Sequence, residues 1–300
     1  MRRWAECRVH THPEAAEAIS HLLTELGAGG VVLDQPDDAT LFVCAYFPDD
    51  QRLQERLEQV RQALEALPRF GLQAGPGRVQ LRWVDEEDWA HSWKAHFRPQ
   101  PVGRKLLIRP SWEPGDLWPG RLTICLDPGM AFGTGYHPTT RLCLEWLEGL
   151  LRGEETCADI GTGSGILAIA AAKLGASRVY AADIDPLAVE IAAENARING
   201  VQDRVRVLQG SAAQVLAAMQ SAGLPGAQVV VANLTAQILQ ELGADLAALV
   251  APGGRLVASG IVEERADQVV RLLESWGLEP VGRRVEQGWV AQLWRRRERM

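Results

Sequence analysis

The stretch Ala158-Asp159-Ile160-Gly161-Thr162-Gly163-Ser164-Gly165-Ile166 decides how this chain is read. Glycine at three alternate positions lets the backbone turn sharply from a buried strand into a helix and leaves bare main chain against which a ligand can lie. Any tight strand-to-helix connection can use glycine, so the neighbouring residues carry the weight. An apolar helix rich in alanine follows, Ile166-Leu167-Ala168-Ile169-Ala170-Ala171-Ala172, and then the apolar run Arg178-Val179-Tyr180-Ala181-Ala182 closed by Asp183. Strand, glycine turn, helix, strand and acid in that order make a β-α-β unit whose acid stands where it would meet a ribose hydroxyl pair.

Outward from this unit the pattern is regular. A helix from about residue 139 precedes it, and a helix over 186–199 and a strand over 204–209 follow. A strand over 228–232, a helix to residue 250, a strand over 255–259 and a helix to residue 276 continue the alternation. Two last strands, over 278–285 and 289–293, are too close in sequence for anything but an antiparallel pairing. The expected fold is α/β: a seven-stranded, doubly wound, Rossmann-like sheet with a hairpin at one edge. Ligands in such sheets sit at the carboxyl ends of the strands, which is where Gly161, Asp183 and Asn233 fall.

The first 84 residues have a different rhythm. Strands over 4–10, 31–34, 41–47 and 78–84 alternate with helices over 13–26 and 49–67, the latter with Leu53, Leu57, Val60, Leu64 and Leu67 on one face. The order β-α-β-β-α-β is the split unit of a small ferredoxin-like α+β domain. His10, His12 and His21 have no ligand partner at metal spacing and are read as solvated or capping. Residues 85–126 form a linker with Trp89, Trp93, Trp112 and Trp118 and five prolines from Pro99 to Pro119; a buried aromatic seam and a stiff connection are expected. Residues 127–300 make the sheet domain. Its entry loop, Leu126-Asp127-Pro128-Gly129-Met130-Ala131-Phe132-Gly133-Thr134-Gly135-Tyr136-His137-Pro138-Thr139-Thr140, reads functionally as a glycine-hinged lid around Phe132. Its plain structural reading is a connection ending in a cap at Thr139 or Thr140.

Composition narrows the setting. A chain of 300 residues, 47% of them hydrophobic, can bury a sizeable core in two domains. The residues after Met1 lack the apolar core of a signal peptide, and no run is long enough to cross a membrane, so a cytoplasmic protein with no membrane partner is expected. Five separated cysteines in apolar runs read as buried thiols, without a disulfide or metal site. The net charge of −7 leaves the terminal Arg295-Arg296-Arg297-Glu298-Arg299 as the one notable basic cluster, so direct nucleic-acid binding is not expected.

The dinucleotide fingerprint is G-x-G-x-x-G, whereas this turn reads G-x-G-x-G after an acid and resembles the S-adenosylmethionine loop of class I methyltransferases. Over nearly the whole length the chain resembles one family of them, the ribosomal protein L-eleven methyltransferases. The resemblance is carried by Asp88-Trp89-Ala90-His91-Ser92-Trp93-Lys94, the loop over 127–140, the glycine turn, Asp183-Ile184-Asp185-Pro186 and Asn233-Leu234. It implies an amino-terminal domain that grips the ribosomal protein, a linker that lets the catalytic domain reorient, and S-adenosylmethionine as methyl donor for lysine and N-terminal amines. Residue by residue it implies cofactor contacts at Thr140, Gly161, Asp183 and Asn233, with Gly163 in the same turn, and no dedicated acid or base. Many amine methyltransferases place Asn-Pro-Pro-aromatic after the fourth strand; Asn233-Leu234-Thr235-Ala236 departs from that pattern and puts an aromatic clamp on the amine in doubt. The alternatives are a methyltransferase of the same fold for another protein, RNA or small molecule, and a non-catalytic cofactor-binding assembly factor. An NAD-dependent dehydrogenase is disfavoured by the spacing of the turn.

Overall fold

The computed structural model describes residues 3–28, 31–37, 40–70, 72–85, 98–114, 118–127, 135 and 137–297. Among the described residues the chain forms two compact units, the first ending at Arg98 and the second beginning at Pro99. Phe132, Gly129 and Gly133 of the expected lid lie outside the described residues, as do Trp89 and Trp93.

In the first unit the strands β1 (Arg3–Thr11), β2 (Val31–Asp37), β3 (Thr40–Pro48) and β4 (Arg78–Asp85) pair in the order β2-β3-β1-β4, all antiparallel. Helices α1 (Pro13–Glu25) and α2 (Leu53–Ala66) complete the ferredoxin-like unit. Its core follows from the two-residue period of a strand: Ala5, Cys7 and Val9 of β1 and Val43, Ala45 and Phe47 of β3 meet Ile19 and Leu23 of α1 and Leu57 and Val60 of α2. His12 caps α1, its side chain accepting from the Glu14 amide.

The second unit opens with a small sheet inside the stretch read as linker: β5 (Gln100–Val102), β6 (Leu106–Arg109) and β7 (Leu122–Cys125). Helix α3 (Pro138–Leu150) anchors it, because the Glu148 carboxylate accepts the Arg104 and Lys105 amides at 2.9–3.0 Å. Of the linker tryptophans expected to form a seam, Trp112 is half-buried. Trp83 and Trp118 remain 46% and 41% exposed, each ring facing a guanidinium instead, from Arg3 and Arg121 respectively. An amphipathic ring lying under a cation at the surface gains the charge–quadrupole attraction without burial.

The main sheet holds β8 (Thr156–Ile160), β9 (Arg178–Asp183), β10 (Val205–Gln209), β11 (Ala227–Asn233), β12 (Val250–Val262), β13 (Leu278–Glu286) and β14 (Trp289–Arg296), in the order β10-β9-β8-β11-β12-β14-β13. The first five strands are parallel; β14 enters antiparallel between β12 and β13. Helices α3, α4 (Ile166–Lys173) and α5 (Pro186–Ile198) cover one face, and α6 (Ala212–Ser221), α7 (Ala236–Leu249) and α8 (Ala266–Ser275) the other. Strand order reverses between β8 and β11, so the crevice of this doubly wound sheet opens at their carboxyl ends.

Among the described residues all five cysteines are free, four of them buried, and no helix is long and apolar enough to cross a membrane. The terminal arginines serve the fold. Arg296 Nη1 donates to the Ala247, Ala248 and Val250 carbonyls at the end of α7, and Arg295 bonds Glu279.

Candidate functional site

Strand parity brings the polar residues together. In β8, Cys157 faces the α3–α5 side, while Ala158 and Ile160 face the other; Asp159 therefore projects with Cys157. The same alternation through Val179 and Ala181 puts Asp183 on that side, and through Val229 and Val231 it does so for Asn233. Three polar side chains from three neighbouring strands thus share one face at one end of the sheet. The α3–α5 helices begin at that end.

The glycine turn is held as the sequence suggests. Gly161, Gly163 and Gly165 all have positive φ, at 72°, 52° and 82°. The Gly161 and Thr162 amides donate to Ala182 O at 2.9 and 3.0 Å, which ties the turn to the end of β9. Asp183 does more than wait for a ligand. Its Oδ2 accepts the Gly163 amide at 2.9 Å and its Oδ1 the Asp185 amide at 3.1 Å, so the acid spans two turns and each oxygen keeps further acceptor capacity. A side chain at Gly161 would strike Leu234, whose carbonyl in turn forbids one at Gly260. Leu234 after Asn233 therefore packs into the floor of the crevice.

Thr140 and Asn233 meet directly. Asn233 Nδ2 donates to Thr140 Oγ1 at 3.4 Å, and both residues are buried. With the amide nitrogen turned to Thr140, the Asn233 Oδ1 has no hydrogen-bond partner. The cap of α3 is not a threonine as read from the sequence. His137 takes that position, accepting from the Thr139 amide, and Pro138 stands at the first helical place, so Thr139 and Thr140 lie inside the first turn. Imidazole Nδ1 is an acceptor of the same reach as a short polar side chain, which is why threonine was a natural expectation.

Asp159 is the residue that sequence reading left out of the site. It is 1% exposed; Oδ2 accepts from Thr162 Oγ1 at 2.7 Å and the Ala168 amide at 3.0 Å, while Oδ1 has no partner. Burial pushes its carboxyl up to about 7, against the pull of those two hydrogen bonds and with a further push from Asp183. An acid set inside the short buried strand Thr156-Cys157-Ala158-Asp159-Ile160, just ahead of the glycine turn, was the signal available. Ile184 is the second omission: 77% exposed directly after Asp183, it offers an apolar surface at the rim.

A family model described as Ribosomal protein L11 methyltransferase (PrmA) matches residues 3–297. The chain belongs to the ribosomal protein L11 methyltransferase family. Members bearing that name include proteins from Desulforamulus reducens, 39% identical over 97% of this chain and 98% of its own, and from Pelotomaculum thermopropionicum, 41% identical over 96% and 97%. A solved structure of ribosomal protein L11 methylase from Lactobacillus delbrueckii subsp. bulgaricus is 32% identical with a TM-score of 0.61, covering 67% of this chain and all of that one. The family match spans both units, so the ferredoxin-like half belongs to it as much as the sheet that carries the crevice.

Proposed function

We propose that this protein transfers methyl groups from S-adenosylmethionine to lysine and N-terminal amino groups of the large-subunit ribosomal protein L-eleven, in the cytoplasm. The observation that carries the reading is the pair of buried, unpartnered oxygens, Asp159 Oδ1 and Asn233 Oδ1, beside bare glycine backbone at the switch point of the sheet. Buried acceptors without donors are costly unless a ligand supplies the donors. Ammonium and amine N–H groups are such donors, and a methyl donor of amino-acid type together with an amine acceptor provides both.

Gly161 and Gly163 would hold the cofactor against main chain. Asp183 would accept its ribose hydroxyls with the lone pairs left after Gly163 and Asp185, and Ile184 would cover the base. Thr140 would orient the amide of Asn233. When bound, S-adenosylmethionine supplies a methyl group on an electron-poor sulfonium. Asn233 Oδ1 accepts an N–H of the incoming amine and so aims the nitrogen lone pair, but an amide oxygen cannot take the proton. The lysine must therefore arrive neutral, which a desolvated crevice favours by lowering its pKa. Alignment by itself can contribute about 7 kcal/mol or more. The amino-terminal unit, residues 1–84, is read as the part that grips the ribosomal protein, and residues 85–126 as the connection to the methyltransferase domain over 127–300.

The test is transfer of labelled methyl into purified large-subunit proteins from an undermethylated strain, read by peptide mass spectrometry. Label on amines of protein L-eleven is the expected result; cofactor binding without label there would remove the substrate assignment. Asn233→Ala should retain fold and lose most turnover, and unchanged turnover would take Asn233 out of the site.

A further inference from the structure

The carboxyl-terminal hairpin reaches around to the start of α3. Glu286 and Trp289 face each other across its turn, and each meets one residue at the start of α3, Arg141 and His137 respectively. Glu286 Oε1 lies 3.4 Å from Arg141 Nε. Trp289, 8% exposed, packs edge-on to the His137 ring, centroids 4.7 Å apart and planes at 72°.

His137 passes this grip to the helix. Its Nδ1 lies 3.4 Å from the Thr139 amide and 2.8 Å from Thr139 Oγ1. A backbone N–H can only donate, so Nδ1 is unprotonated and the hydroxyl donates to it as well. Its own carbonyl accepts the Arg141 amide at 3.1 Å. Thr140 sits between the two held residues, and its hydroxyl receives the Asn233 amide. Displacing the first turn of α3 would swing that amide and its free Oδ1.

We propose that His137 and Trp289 are positioning residues for methyl transfer: the hairpin, through their edge-to-face contact, fixes Thr140 and thereby the orientation of the Asn233 carbonyl. The inference rests on the role given to Asn233 above. Packing alone asks only for an apolar residue at position 289, whereas an edge-to-face contact asks for an aromatic ring. Burial holds the imidazole pKa down to about 4, which keeps the Nδ1 acceptor available at neutral pH. Neither residue touches the reacting atoms in this scheme, so their loss should act on the rate and leave binding largely alone.

The experiment uses the full-length chain with Trp289→Leu, Trp289→Phe, His137→Asn and the Trp289→Leu/His137→Asn double variant. Measured are kcat and KM for the protein acceptor, calorimetric affinity for S-adenosylhomocysteine, and Tm. Asparagine is a good cap, so His137→Asn preserves the helix start while removing the ring; it keeps the question open to measurement if Trp289→Leu fails to fold. Trp289→Leu and His137→Asn should each lower kcat about tenfold or more, with KM and cofactor affinity within about twofold. Trp289→Phe should recover most of the rate, and the double variant should be no slower than either single one. Equal kcat in the Leu and Phe variants, wild-type kcat in His137→Asn, or additive losses in the double variant would each overturn the positioning role. An inactive wild type, or Asn233→Ala with normal turnover, would instead overturn the reading on which it rests.

Discussion

Asp159 joins two demands that oppose each other. Its Oδ2 stitches the glycine turn to the first turn of α4, yet the buried carboxylate is strained by desolvation and by Asp183, which carries it from the ordinary 3.8 to about 7. The folded protein therefore binds this proton more tightly than the unfolded chain. The group's contribution to stability is complete below about pH 4 and is lost as pH rises through about 7. In Asp159→Asn without cofactor, stability relative to wild type should improve by about 2 kcal/mol between pH 5 and pH 8, as read by urea titration; a difference independent of pH would mean that the carboxyl is not the group that titrates. Asp183 gives a second measurement at this scale. Asp183→Ala should weaken S-adenosylhomocysteine binding by about 1.5–3 kcal/mol and, because Gly163 loses its acceptor, should also lower Tm. Wild-type calorimetric affinity in the folded variant would remove the ribose contact.

At the scale of elements, proline at the first helical position marked the starts of α1 and α5 in the sequence, and Pro138 takes the same place in α3, which was read from about residue 139 with a threonine cap. Of the caps, His12 was among the histidines read as solvated or capping, whereas His137 was not read as one, because an imidazole there does what a short polar side chain usually does. The small β5–β6–β7 sheet was not legible at all. Its strands have three or four residues, Leu106, Leu107 and Ile108 are all buried, and so no alternation marks them; they are strands because α3 supplies Glu148 and an apolar face. Arg296 belongs here too. The basic run near the chain end read only as charge, but the Arg296 guanidinium gathers the Ala247 and Ala248 carbonyls of the last turn of α7 and the Val250 carbonyl just beyond it. Arg296→Ala should cost about 1–2 kcal/mol, a fall of roughly 2–4 °C in Tm. An unaltered melting curve would show that water replaces the fork.

For the whole molecule, each unit has its own core, one around Phe47 and Leu57, the other on both faces of the seven-stranded sheet. Deleting residues 1–84 should therefore leave S-adenosylhomocysteine binding within a few-fold of wild type while abolishing methylation of protein L-eleven; methylation that survives the deletion would assign recognition to the sheet domain. The glycine turn, the acid after the next strand and the period of the alternating helices and strands determined the α/β fold and the end of the sheet where the crevice opens, because those features are local and follow from backbone geometry and parity. Only the tertiary structure decided that Asp159 is buried with an oxygen to spare, that Asp183 already carries two amides, and that a hairpin more than a hundred residues downstream grips the helix bearing Thr140. Those facts depend on which distant groups compete for the same space and the same hydrogen bonds, and sequence spacing does not encode that competition.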